Sequence, residues 1–190
     1  TVTAGTETNY TVTTVNGSLV INKAALTATG NSLSSTYNGA NQSVSGFTVS
    51  GLQGSDTVAS LSSVSASGAT GKNAGSYTNT VTAGTETNYT VTTVNGTLDI
   101  AKANATVTAN SGTLTYNGAN QTVSGFTASG LVAGETASVL SSVSASRTEK
   151  NAGTYTPTAS GTDGNYNLTF VDGSMLINKA ALTATGNSLS

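Results

Sequence analysis

The sequence predicts an all-β chain: a tandem array of small Ig-like β-sandwich domains, or of β-grasp-like units with one short helical turn. Two observations carry that expectation. Long segments return almost unchanged along the chain. Within each segment, apolar residues alternate with Thr, Ser and Asn over short runs bounded by Gly and Asn, which is the period of half-buried strands.

The repeat is close to exact copying. Residues 3–19 read TAGTETNYTVTTVNGSL and residues 82–98 read TAGTETNYTVTTVNGTL. INKAALTATGNSLS at 21–34 returns unchanged at 177–190. Lys23, Lys102 and Lys179 mark equivalent points, 79 and 77 residues apart. A period near 78 is enough for one small domain and too long for one coil of a β-helix. The chain therefore divides into the C-terminal part of a repeat (1–22), complete repeats at 23–101 and 102–178, and the start of another (179–190). Beginning and ending inside repeats is what an excerpt from a longer array would show.

Inside one repeat, a strand is expected near 25–29 with Leu26 inward. Others are expected over 43–49 (Val44, Phe47, Val49), 60–66 (Leu61, Val64) and 76–81 (Tyr77, Val81). The second repeat offers Val107, Val123, Phe126, Leu140, Val143 and Tyr155 at matching places. Residues 134–140 could instead form one helical turn. Each repeat ends on an expected type I′ hairpin at Asn16-Gly17, Asn95-Gly96 or Asp172-Gly173. Pairing outward from the turn puts Tyr10, Val12, Thr14, Leu19 and Ile21 on one face. In the last repeat the same face carries Tyr166, Leu168, Phe170, Met175 and Ile177. Pro157, the only proline, belongs at an edge or strand end. About two residues separate the last strand of one repeat from the first of the next. With no Gly/Ser-rich or Pro-rich spacer there, a semi-rigid rod is expected.

Several motifs occur in a fixed order. They are Lys-Ala-x-Leu-Thr at Lys23 and Lys179, Tyr37-Asn38-Gly39 and Tyr116-Asn117-Gly118. Gly51-Leu52 is followed by Asp56-Thr57, and Gly130-Leu131 by Gly134-Glu135-Thr136. Asn-Ala-Gly-x-Tyr at 73–77 and 151–155, Asn-Tyr at 88–89 and 165–166, and a closing Ile-x-Lys complete the series. In this order the chain resembles the MBG/YDG-type tandem repeat domains of large bacterial surface adhesins. The resemblance implies a secreted protein, on the bacterial cell surface, in which such repeats act as spacers.

Composition narrows the chemistry. Only 7% of the residues are charged and the net charge is −2, against about 25% charged in ordinary soluble domains. Six Lys and Arg cannot build the basic surface that nucleic acid requires. No apolar run is long enough to span a membrane as a helix, so this segment is not expected to insert in one. His and Cys are both absent, which removes the commonest general base and the thiol nucleophile. An enzyme is not expected, and no cofactor is implied. Lys72 and Lys150 are equivalent and read as solvated loop lysines. Asp56 and Glu135 are equivalent, as are Glu7, Glu86 and Asp163, but they are too scattered to supply the six to eight oxygens of a calcium site. Asp56 and Glu135 read as turn residues or helix starts. A Lys–Asn isopeptide bond at Lys23, Lys102 or Lys179 would need a buried acid, which the sequence does not identify. Eight Asn-x-Ser/Thr triplets, from Asn9 to Asn167, are near chance for this composition. Thr-x-Thr runs such as Thr11-Val12-Thr13 read as outward strand faces. The weak binding candidates are Tyr37, Asn38, Tyr116 and Asn117 in the TYNGANQ turn, where a tyrosine could meet a glycan or pack on its own turn.

The function expected from these readings is a structural stalk that holds an adhesive domain away from the cell. Its partners are neighbouring repeats of the same chain. The alternative is that the repeats themselves bind, to like chains on other cells or fibres or to a glycan.

Overall fold

The computed structural model describes residues 1–132 and 134–186. Residues 24–101 build five long strands, each broken once near its middle. The first is β1 (Ala24–Gly30) and β2 (Leu33–Thr36); the second is β3 (Gln42–Val44) and β4 (Phe47–Ser50). The third is β5 (Val64–Ala66) and β6 (Ala69–Gly71), preceded by a single 3-10 turn at Val58–Ser60. The fourth is β7 (Gly75–Asn79) and β8 (Val81–Ala83), and the fifth is β9 (Tyr89–Val94) and β10 (Gly96–Ala101). The breaks divide the expected strands over 43–49 and 76–81 in two. They also begin the expected 60–66 strand later, after the helical turn.

Pairing closes these strands into a ring. β1 runs antiparallel to β4 and parallel to β9. β10 runs parallel to β2 and antiparallel to β7. β3 pairs with β6 and β5 with β8, both antiparallel. The long strands thus neighbour one another in the order second, first, fifth, fourth, third, and the third returns to the second. The chain is all-β, as the alternation predicts. The first and last strands pair in parallel, and each repeat holds one short 3-10 turn.

Residues 103–178 repeat the plan with β11 (Ala103–Ala109), β12 (Gly112–Thr115), β13 (Gln121–Ser124), β14 (Phe126–Ser129), β15 (Val143–Glu149), β16 (Gly153–Tyr155), β17 (Thr158–Gly161), β18 (Tyr166–Val171) and β19 (Met175–Asn178). The 3-10 turn recurs at Ala137–Val139, inside the segment expected to allow one. Pro157 is buried between β16 and β17, at a strand end as expected. One residue, Lys102, separates β10 from β11.

The expected hairpin does not form. β9 and β10 are joined through Asn95, yet they pair with different neighbours, and neither Asn95 nor Gly96 has positive φ. Glycine is needed there for a different reason. A Cβ on Gly96 would stand 2.2 Å from the Asn31 carbonyl oxygen, and one on Gly173 would stand 2.3 Å from that of Asn110. The breaks of the first and fifth strands press backbone on backbone, and only glycine fits. The inward faces nevertheless come out largely as read. Tyr89, Leu98, Ile100, Tyr166, Met175 and Ile177 are buried, because the strand keeps its inward face across the break although the two sides of the break line different apolar clusters. Thr93 is exposed and Phe170 half-buried. Residues 10–22 form no strand, and Tyr10 is 79% exposed. Their equivalents in the first complete repeat, β9 and β10, pair with the first and fourth strands of that repeat.

Gly96→Ala should lower the melting temperature of the first repeat by several degrees, an effect of about 2–4 kcal/mol from strain against rigid backbone. Circular dichroism melts of the variant and the parent chain check this; an unchanged midpoint would contradict the close approach.

Candidate functional site

The strand breaks also divide the core. One cluster, in the leading half of the first repeat, holds Leu26, Ala28, Leu61, Val81 and Tyr89. The trailing half does not form a cluster of its own. Tyr37, Ala69, Leu98 and Ile100 belong to a continuous cluster with Ala105, Val107, Leu140 and Tyr166 of the next repeat. A small third cluster of Val123, Met175 and Ile177 lies in the trailing half of the second repeat. The apolar core is therefore out of step with the sequence repeat, and it crosses the joint.

Polar groups fix that joint. Tyr37 follows β2 and is 5% exposed. Its N–H donates to the Ala101 carbonyl at 2.8 Å, which anchors the turn on β10. Its hydroxyl donates to Glu135 Oε1 of the next repeat. Tyr166, leading β18, donates to Glu135 Oε2 at 2.5 Å. The two rings meet edge to face, 5.5 Å between centroids, a geometry that aligns positive edge with negative face. A carboxylate taking two phenolic protons favours both phenols neutral. Tyr37 is pushed up to about 12, by its bond to Glu135 first and by burial second. Tyr166 is also raised, by burial and then by Glu135.

A second contact lies beside it. Asn165 Oδ1 accepts the Ala74 N–H at 2.9 Å, and its amide donates to Asn73 Oδ1 at 3.3 Å. Gly39 sits against Val132, where an added Cβ would be 3.1 Å from Val132 Cγ2. Each repeat thus carries a trailing face (Tyr37, Gly39, Asn73, Ala74) and a leading face (Val132, Glu135, Asn165, Tyr166) that fit together. The sequence places the same types at Tyr116, Gly118, Asn151 and Ala152, and at Asp56, Asn88 and Tyr89. Tyr89 donates to Asp56 Oδ2 at 2.5 Å, so the acid–tyrosine half of the site exists in the first repeat too.

The remaining sequence candidates have local roles. Asn38 and Asn117 accept the N–H of Ala40 and Ala119, each at 2.9 Å, and so shape their own turns. Tyr116 is 38% exposed. Lys72 and Lys150 are exposed. Lys23 and Lys102 donate from Nζ to the backbone carbonyls of Glu86 and Asp163, at 2.6 and 2.7 Å. Glu86 is buried and accepts the Ser63 N–H and hydroxyl at 2.8 and 2.6 Å, which lower its pKa. Asp163 instead caps its own loop, accepting from Asn165 and Tyr166 N–H. Asp56 and Glu135 do precede 3-10 turns, as read, but their carboxylates serve tyrosines. That role was signalled in sequence only by acid and tyrosine recurring at the same places. Among the described residues no group of three or more acidic, His or Cys side chains could hold a metal, and no helix is long and apolar enough to cross a membrane.

No curated protein and no solved structure matches the chain. Residues 26–99 and 105–176 each match the family model of the MBG domain, YGX type. The matched segments cover most of the sequence and nearly all of each ring of strands. The chain is therefore a tandem pair of domains of the MBG family, YGX type, a family of repeat domains of surface proteins and not a known enzyme family.

Proposed function

We propose that these repeats are the stalk of a bacterial cell-surface adhesin, outside the cell, and that they project an adhesive domain from it. The observation that supports this best is the joint. A one-residue link, a shared apolar cluster and a half-buried carboxylate between two tyrosines restrain bending between successive repeats. An array of independent binding modules has no need of a core that crosses its joints. A spacer under load does, because each joint resists rotation only as far as its contacts hold. The near-absence of charge leaves the sides of the rod without a strong field toward any one partner. Small-angle scattering on chains of two and four repeats tests the reading. The maximum dimension should grow linearly, by roughly 30–40 Å per repeat if strands run near the long axis. A compact particle, or the profile of a freely jointed chain, would rule out the stalk.

A further inference from the structure

The trailing face of the second repeat carries the same residue types as the joint in the middle of the chain. Tyr37 and Tyr116 are equivalent, and both donate their backbone N–H to the last strand of their own repeat at 2.8 Å. Their side chains differ in company: Tyr37 is 5% exposed and Tyr116 38%. An open, mainly apolar concavity lies beside Tyr116, lined also by Ala152, Lys179 and Leu182. At the leading end of the first repeat a polar concavity is lined by Asp56, Glu86, Asn88 and Tyr89. We propose that the face carrying Tyr116 and Ala152 is a docking surface for another repeat of this kind. Tyr116 would donate to that repeat's Asp56-type carboxylate, and the Ala152 N–H to its Asn88-type amide oxygen. The occupant follows from the joint on view, where the same two donors of the first repeat meet Glu135 and Asn165 of the second.

The acid's length sets how well the site is filled. Glu135 reaches both Tyr37 and Tyr166. Asp56 is one methylene shorter and holds Tyr89 at 2.5 Å. Val132, which packs against Gly39, has polar Gln53 as its counterpart. The Asp56-type face is therefore the weaker acceptor of the two, and its strength should respond to a single methylene.

The repetition makes a direct experiment available. Residues 177–190 are identical to 21–34, so a copy of residues 35–101 placed after Ser190 continues the array with one more complete repeat. In that extended chain Tyr116 should resist nitration by tetranitromethane to the same extent as the buried Tyr37, read by peptide mass spectrometry. The second and added repeats should unfold together. Tyr116→Phe should separate their transitions, and Asp56→Glu in the added copy should draw them closer. Tyr116 reacting as fast as in the 190-residue chain would overturn the proposal, as would coupling indifferent to both changes. The inference rests on the stalk reading only in taking repeats to follow one another. A rod-like scattering profile with a freely reactive Tyr116 would sink the docking site and leave the stalk standing.

Discussion

Glu135→Ala should cost about 3–5 kcal/mol and split the unfolding of the two complete repeats into separate transitions. The magnitude comes from two lost hydrogen bonds to a charged acceptor, each worth about 1.5–3 kcal/mol, less what water returns to the freed phenols. The splitting comes from position. Glu135 is the one group that takes a bond from Tyr37 across the joint and from Tyr166 within its own repeat. Tyr166→Phe should weaken the second repeat but keep the joint, whereas Tyr37→Phe should do the reverse. A double-mutant cycle between Tyr37→Phe and Glu135→Ala, followed by urea unfolding, isolates the term that crosses the joint. A coupling energy near zero would mean that the apolar cluster alone holds the repeats together.

The same contact gives a pH dependence with a defined sign. Tyr37 keeps its proton to about pH 12 in the folded chain and loses it near 10 when unfolded. Its contribution is full below pH 10 and is lost as the pH climbs toward 12. Stability should therefore fall across that window, and Tyr37→Phe should remove part of the fall. Spectrophotometric titration of the phenolate, compared between folded and urea-unfolded chain, measures the shift directly.

How much of this the sequence disclosed depends on the physics behind each signal. Alternation reports burial, and burial is local to a strand, so Leu26, Val107, Leu140 and Ile177 could be read as core residues. Pairing partners are not local. Asn95-Gly96 carried the composition of a tight hairpin, but the glycine answers to the Asn31 carbonyl of the first strand, some 65 residues away in sequence. Strand breaks were likewise hidden: Ser45-Gly46 interrupts β3 and β4 with Gly46 at φ 80°, inside an alternating run that reads as one strand. The joint was half legible. The short link and the repeated Tyr, Asp and Glu were visible, but nothing in one repeat says that its tyrosine will find the next repeat's acid. The short strands β2 and β12 (LSST and GTLT) have too few apolar residues to announce themselves. They exist because β10 and β19 need parallel partners.

The second large effect is expected at Asn79, a fully buried polar side chain of the first repeat. Its Oδ1 accepts the Gly68 N–H at 2.9 Å, and its amide donates to the carbonyls of Gly46 and Asn31 at 2.9 and 3.1 Å. Three backbone groups at three strand breaks thus find their partner in one residue. Asn79→Ala leaves the Gly68 N–H and the Asn31 carbonyl unpaired and the Gly46 carbonyl with only the Asn31 N–H, and should destabilise the first repeat by about 3 kcal/mol. Asn79→Asp should be worse, because a carboxylate has no donor for the two carbonyls. The second repeat shows why Asn is needed here. Pro157 stands at the equivalent place, and that repeat is one residue shorter between Ala145 and Asn151 than the first between Ala66 and Asn73. The missing residue corresponds to Gly68, which sits at φ 73° between β5 and β6. Without it the third strand runs unbroken as β15, and Gly125 donates to the Ala145 carbonyl directly. The inserted glycine and the asparagine are therefore one device: the extra residue opens the strand, and the amide satisfies what the opening exposes. Asn79→Pro alone should unfold the first repeat at ordinary temperature. Combined with deletion of Gly68, the same substitution should recover most of the lost stability, because it rebuilds the arrangement around Pro157. Denaturation of the single and double variants decides it: if the deletion rescues nothing, the two repeats reach their different breaks independently and the coupling is wrong.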